Sequence, residues 1–189
     1  VLAKDLGTLH DFVFENIKIF NVNGSLKTRE NGGLFLKIIA DSIAEKRVPT
    51  NFDGVYVNNC HFFDVDRGGF LNQSVWKNRD FDTEFGEVCR NKRINTWYPS
   101  YNILIENCKF EKVGGNGLVT RVAESPVVQN NLFLYCSIKT TGNASYPYNC
   151  DNALWQFNEA CYTVYNEGDV DASGFDSDYM CKNTVIQFN

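Results

Sequence analysis

Six short segments of this chain repeat one pattern: alternating apolar residues that end in a polar side chain, usually beside an asparagine. The copies are Phe12-Val13-Phe14-Glu15-Asn16, Val55-Tyr56-Val57-Asn58-Asn59, Ile103-Leu104-Ile105-Glu106-Asn107, Val127-Val128-Gln129-Asn130, Leu154-Trp155-Gln156-Phe157-Asn158 and Val185-Ile186-Gln187-Phe188-Asn189. Equating Phe14, Val57, Ile105, Val128, Trp155 and Ile186 gives spacings of 43, 48, 23, 27 and 31 residues. The shortest spacing is close to one bare coil, and the longer ones need insertions. Between these copies lies a second, glycine-led motif: Gly33-Leu34-Phe35-Leu36-Lys37, Gly69-Phe70-Leu71-Asn72-Gln73, Gly117-Leu118-Val119-Thr120-Arg121 and Gly174-Phe175-Asp176-Ser177-Asp178. Repeats of this size that cannot bury an apolar face alone must stack, which is the pattern of a β-solenoid.

Alternating apolar residues suit strands with one buried face. Asparagine tolerates the left-handed backbone that turns a strand sharply, and its amide can bond to an equivalent amide one coil away. Asn16, Asn59, Asn107 and Asn130 are therefore expected to form an internal ladder. The competing reading is that asparagine-rich turns join ordinary hairpins.

With these motifs in view, the chain resembles right-handed parallel β-helix proteins of the pectate-lyase-like type. The resemblance implies an all-β, single-stranded right-handed parallel β-helix of about five to six coils. Residues 1–189 would form a single domain, with a long insertion at 74–100, and would be part of a longer helix. The stretch Glu167 to Asn189, with its Gly-Phe-Asp-x-Asp core, also resembles one found in bacterial secreted β-helix proteins. That likeness implies a secreted, periplasmic or cell-surface setting.

Composition narrows the partners. Twenty-three acidic against 18 basic residues give a net charge of −5, which argues against nucleic acid, a ligand that needs a basic footprint. No run is long and apolar enough to span a bilayer. Seven cysteines lack a zinc-binding spacing, and Cys60 and Cys108 occupy equivalent places, where buried free thiols are expected. His10 and His61 sit beside strand copies and read as structural or surface groups.

The insertion carries Trp76, Arg79, Trp97 and Tyr98 among many charges. Aromatic faces stack on sugar rings while arginine and aspartate hold hydroxyls or carboxylates, so the insertion reads either as a wall of a glycan groove or as a solvated cover. A later loop, Thr140 to Asn152, adds Asp151.

Period two sends Leu34, Phe70, Leu118 and Phe175 inward. Two outward rows follow, one of Phe35, Leu71, Val119 and Asp176, the other of Lys37, Gln73, Arg121 and Asp178. The second row brings Arg121 towards Asp178, in neighbouring coils or one coil removed. Asp176 and Asp178 are thus candidate catalytic carboxylates, because like charges raise one pKa and leave one carboxyl as acid, the other as base. The plainer alternative makes them solvated, or bonded to the following turn.

Asp169 and Asp171 precede them and could hold calcium, although a hydrolase would need no cofactor. Gly117 to Arg121 also resembles the arginine-bearing strand of alginate and chondroitin lyases, without that family's histidine after the arginine, where Val122 stands. Three functions stay open: a glycoside hydrolase acting on a polysaccharide or oligosaccharide through Asp176, Asp178 and Arg121; a calcium-assisted polysaccharide lyase with Arg121 or Lys37 as base; and a non-catalytic carbohydrate-binding or adhesive module. In each, Lys37, Gln73, Trp76, Arg79, Trp97, Tyr98 and Asp151 would bind the substrate.

Overall fold

A computed structural model describes residues 1–79 and 96–189. Its strands form three sheets, all parallel. Sheet A is ordered β1 (Leu2–Lys4), β4 (Gly32–Ile39), β7 (Gly68–Ser74), β10 (Leu118–Arg121) and β13 (Ser145–Tyr148). Sheet B runs from β2 (Thr8–Glu15) through β5 (Asn51–Asn58), β8 (Tyr101–Glu106), β11 (Val127–Gln129) and β14 (Leu154–Gln156) to β16 (Val185–Gln187). Sheet C comprises β3 (Lys18–Val22), β6 (His61–Val65), β9 (Lys109–Val113), β12 (Leu132–Cys136) and β15 (Glu159–Cys161). The chain visits the sheets in rotation, so each strand pairs with the strand three places on, and the result is a parallel solenoid. Among the described residues no helix is long and apolar enough to cross a membrane.

The strand register joins the six sequence copies position by position. Phe14 pairs with Val57, Val57 with Ile105, Ile105 with Val128, Val128 with Trp155, and Trp155 with Ile186. Because side chains alternate across a strand, one register keeps this whole row inside. Val57, Ile105, Val128 and Trp155 are fully buried. Sheet C supplies the facing row, in which Phe62 stacks on Phe110 at 4.7 Å and Phe110 on Phe133 at 4.9 Å. Each such ring contributes about 1.5–3 kcal/mol through burial, so this phenylalanine stack is a main source of cohesion between coils.

The asparagine expectation needs correction. Asn16, Asn59, Asn107 and Asn130 do adopt left-handed φ angles of 50–58°, but they are exposed corner residues. Asn59 donates to Asn16, whereas Asn107 donates to Asn58 instead. The internal ladder lies one residue further on, because a left-handed residue turns the chain and the residue after it points inward. There Asn131 accepts the Cys108 N–H (2.9 Å), Asn158 accepts the Asn131 N–H (3.1 Å), and Asn189 accepts the Asn158 N–H (2.8 Å). Cys108 plays the same part for Cys60, taking its N–H on sulfur at 3.4 Å. Cys60 and Cys108 are free and buried, and burial pushes the Cys108 thiol up to about 12.

Two strands of sheet A carry no glycine lead. β1 pairs with β4, and β13 lies inside the stretch Thr140 to Asn152 that sequence marks as a loop. β13 adds a coil between the third and fourth glycine-led copies. Phe175 therefore bridges to Ser145, which is itself in register with Leu118.

Candidate active face

The outer face of sheet A carries the two expected rows, with β13 inserted. Leu71, Val119 and Tyr146 form an apolar cluster of their own, against which Phe35 and Tyr148 pack. Beyond β13 the chain stays extended, as the Asp176 N–H donates to Ser145 O (3.3 Å) and the Asp178 N–H to Pro147 O (3.2 Å). Asp176 thus follows Tyr146, and Asp178 follows Tyr148. Since Arg121 pairs with Tyr148, Arg121 and Asp178 are one coil removed, with a tyrosine ring between their positions.

The start of the insertion loosens the row lower down. In place of a backbone ladder, the inward Asn72 amide clamps Arg121, donating to its carbonyl (2.7 Å) and accepting its N–H (2.8 Å). The Arg121 guanidinium lies over the Tyr148 ring, 4.8 Å from its centre. Tyr148 in turn tilts against Tyr179, at 5.8 Å between ring centres.

Asp178 is the perturbed carboxyl of this face. Burial pushes its pKa up, and the negative charges of Asp176 and Asp171 add to that, while the Tyr179 N–H and Arg121 pull the other way. A carboxyl held protonated above its usual range is the form that donates a proton. Asp169 behaves oppositely. The Thr141 hydroxyl, together with the N–H groups of Val170 and Asp171, holds its pKa down against burial. The same hydroxyl lies 3.1 Å from Asp171, but one hydroxyl proton serves one acceptor fully, and the shorter contact assigns it to Asp169.

The two acids expected to hold calcium, Asp169 and Asp171, are both near Thr141. Asp169 and Asp171 converge on a threonine and backbone donors, and among the described residues no three His, Cys, Asp or Glu groups gather to hold a metal. Lys37 is also committed: it pairs with Glu30, which Gln73 approaches at 3.4 Å, and the Lys37 contact lowers the Glu30 pKa.

The aromatic wall divides. Trp76 is only 6% exposed and belongs to the main core, and Tyr98 packs against that core. The chain leaving β7 stays against the coil, with the Val75 N–H donating to the Ile38 carbonyl and the Tyr98 N–H to the Trp76 carbonyl, so Trp76 is buried in the core. Arg79 and Trp97 instead meet Asp151: the guanidinium donates to Asp151 at 2.7 Å and to Asn149, and stacks on the Trp97 ring at 3.7 Å. Residues 80–95, which carry the remaining charges of the insertion, lie outside the described residues. His10 and His61 face Asp53 and Glu111 at 3.3 Å and 3.2 Å.

Sequence reasoning missed Arg29, Arg67, Tyr146 and Tyr148. The two tyrosines become visible once Ser145-Tyr146-Pro147-Tyr148 is read as a strand copy, while Arg29 and Arg67 lie outside every repeat.

Three parallel sheets visited in rotation define the chain as a parallel β-solenoid, with acids, arginines and tyrosines along one outer sheet. Comparison with known proteins agrees with that fold. No family model matches. In sequence the chain is similar to a lacto-N-biosidase of Bifidobacterium longum subsp. longum, 26% identical over 214 residues, covering all of this chain and 13% of that protein. In structure it resembles the GH136 lacto-N-biosidase of Eubacterium ramulus, with a TM-score of 0.78 to the native protein and 0.80 to its selenomethionine form. Identity to both is 24%, covering all of this chain and 32% of those chains. The chain thus spans well under two thirds of each of these proteins.

Proposed function

We propose that the chain forms part of a secreted glycoside hydrolase, built on a right-handed, pectate-lyase-like helix, that cleaves oligosaccharides on the outer face of sheet A. The observation that carries this is the half-buried Asp178 carboxyl, raised by burial and flanked by the charges of Asp176 and Asp171. Asp178 gives its proton to the glycosidic oxygen as the bond to the anomeric carbon breaks. Asp176, two residues earlier along the extended segment, serves as the second carboxylate, attacking the anomeric carbon or taking a proton from water. Arg121, held over Tyr148, faces the charge that appears on Asp178 once the proton has left. The lacto-N-biosidase activity of the similar proteins is the first to assay. The lyase reading has less support, because its candidate base Lys37 is paired with Glu30.

The test compares Asp171→Asn, Asp176→Asn and Asp178→Asn in the full-length protein, following reducing ends and ultraviolet absorbance together. Reducing ends form without absorbance, and Asp178→Asn lowers kcat roughly 10²- to 10⁴-fold. In the wild type, kcat/KM falls as pH rises through the raised Asp178 pKa, since the acid must be protonated. Full activity in the Asp178→Asn protein would refute the assignment, and a larger loss at Asp171 than at Asp176 would transfer the second role to Asp171.

A further inference from the structure

Beside the acids, on the same outer face, Arg29, Arg67 and Arg121 line one small pocket whose other walls are Gly68, Phe70, Leu71, Asn116 and Val119. Arg67 is only 5% exposed, and its single described bond runs from Nη1 to the Thr141 carbonyl. Among the described residues its buried Nε has no hydrogen-bond partner, and neither has the buried Nε of Arg121. Burying a guanidinium with a donor left unbonded is expensive, so a site that keeps one suits a ligand able to accept from it.

Asp169 attracts Arg67 through space, but among the described residues no acid forms an ion pair with Arg67. Glu30 is held by Lys37, and Asp169 by Thr141 and two backbone N–H groups. Burial first, and then the like charges of Arg29 and Arg121, push the Arg67 pKa down, while Tyr146 and Asp169 act the other way. Arg29, in contrast, is exposed and can move without disturbing the coil.

The pocket's position relates it to the acids. Leu71, Val119 and Tyr146 pair in sequence across β7, β10 and β13, and Asp176 follows Tyr146. Val119 in the pocket wall is therefore two strand spacings from Asp176, about 9.6 Å.

Building on the hydrolase reading, we propose that this arginine pocket binds an anionic substituent, a carboxylate or a sulfate, on the sugar next to the bond being cleaved, and that the enzyme acts on acidic oligosaccharides. Guanidinium groups match both anions through paired N–H donors.

The experiment uses the full-length protein carrying Asp178→Asn, so that binding is read without turnover. Calorimetry compares a neutral oligosaccharide with its C6-oxidised uronate and its sulfated counterpart. The acidic ligands bind roughly 10- to 100-fold more tightly than the neutral one, and adding Arg29→Ala or Arg67→Lys removes that advantage. Whether uronate or sulfate binds better identifies the source of the charge. Equal affinity for neutral and acidic ligands, unaffected by either arginine change, would overturn the pocket assignment. Failure of the otherwise unchanged protein to hydrolyse any of the three overturns the hydrolase reading by itself, because the binding comparison still decides the pocket. Arg29→Ala guards against a misfolded Arg67 variant, since its side chain lies at the surface.

Discussion

Two rows on the outside of the solenoid follow the same stacking rule and carry opposite kinds of information. On sheet B, Glu106, Gln129, Gln156 and Gln187 repeat nearly the same side chain in successive coils, and each glutamine donates to the residue before it at 2.7, 3.0 and 3.0 Å. On sheet A the equivalent row reads Lys37, Gln73, Arg121, Tyr148 and Asp178, and no residue type recurs. Repetition along a stack costs nothing to evolve and serves cohesion alone. The row on sheet A differs from coil to coil, and it holds Arg121 and Asp178, the groups proposed to act on the substrate.

The contrast predicts that repeated rows, inside and out, lose stability when cut, while the varied row loses chemistry. Phe110→Ala, in the middle of the ring stack, lowers the unfolding free energy by about 3–5 kcal/mol, read from denaturant midpoints; a loss below 1 kcal/mol would show that the coils do not depend on that stack. Asn158→Ala strips an acceptor from the Asn131 N–H and a donor from the Val128 carbonyl, at about 1–3 kcal/mol. Asp178→Asn goes the other way. Its folded pKa lies above the unfolded one, so the wild type loses stability as pH rises from the unfolded value through the raised one. The asparagine variant therefore melts higher than wild type at neutral pH, and the gap closes in acid below the ordinary carboxyl range. Gln156→Ala on the outer amide row changes stability by about 0.5 kcal/mol or less, and leaves turnover intact. Loss of activity there would end the division between the two rows.

Sequence disclosed the stack more fully than the site. The six copies on sheet B align residue for residue because each has one apolar triplet and one polar terminator. β13 stayed hidden because it lacks a glycine and carries Pro147, a residue that ordinarily argues against a strand interior. Proline is tolerated there because its carbonyl still accepts the Asp178 N–H. The asparagine ladder was displaced by one position, since two adjacent asparagines, Asn130 and Asn131, look alike in sequence while their φ angles send one outward and the other in. Arg67 left no signal at all. Its meaning depends on what fails to reach it, which only three-dimensional packing reveals.

The inward stack that runs from Cys60 and Cys108 to Asn131, Asn158 and Asn189 also works as a phase marker. All five occupy one lane, but sulfur is a weak acceptor and amide oxygen a strong one. Sliding the coils past one another by a single step would seat a thiol against an N–H now held by an amide, and would crowd an amide into a space shaped for a thiol. A uniform lane would permit that slip at little cost. The change of chemistry midway numbers the coils, so that a chain assembled from near-identical turns can still recognise the one correct alignment.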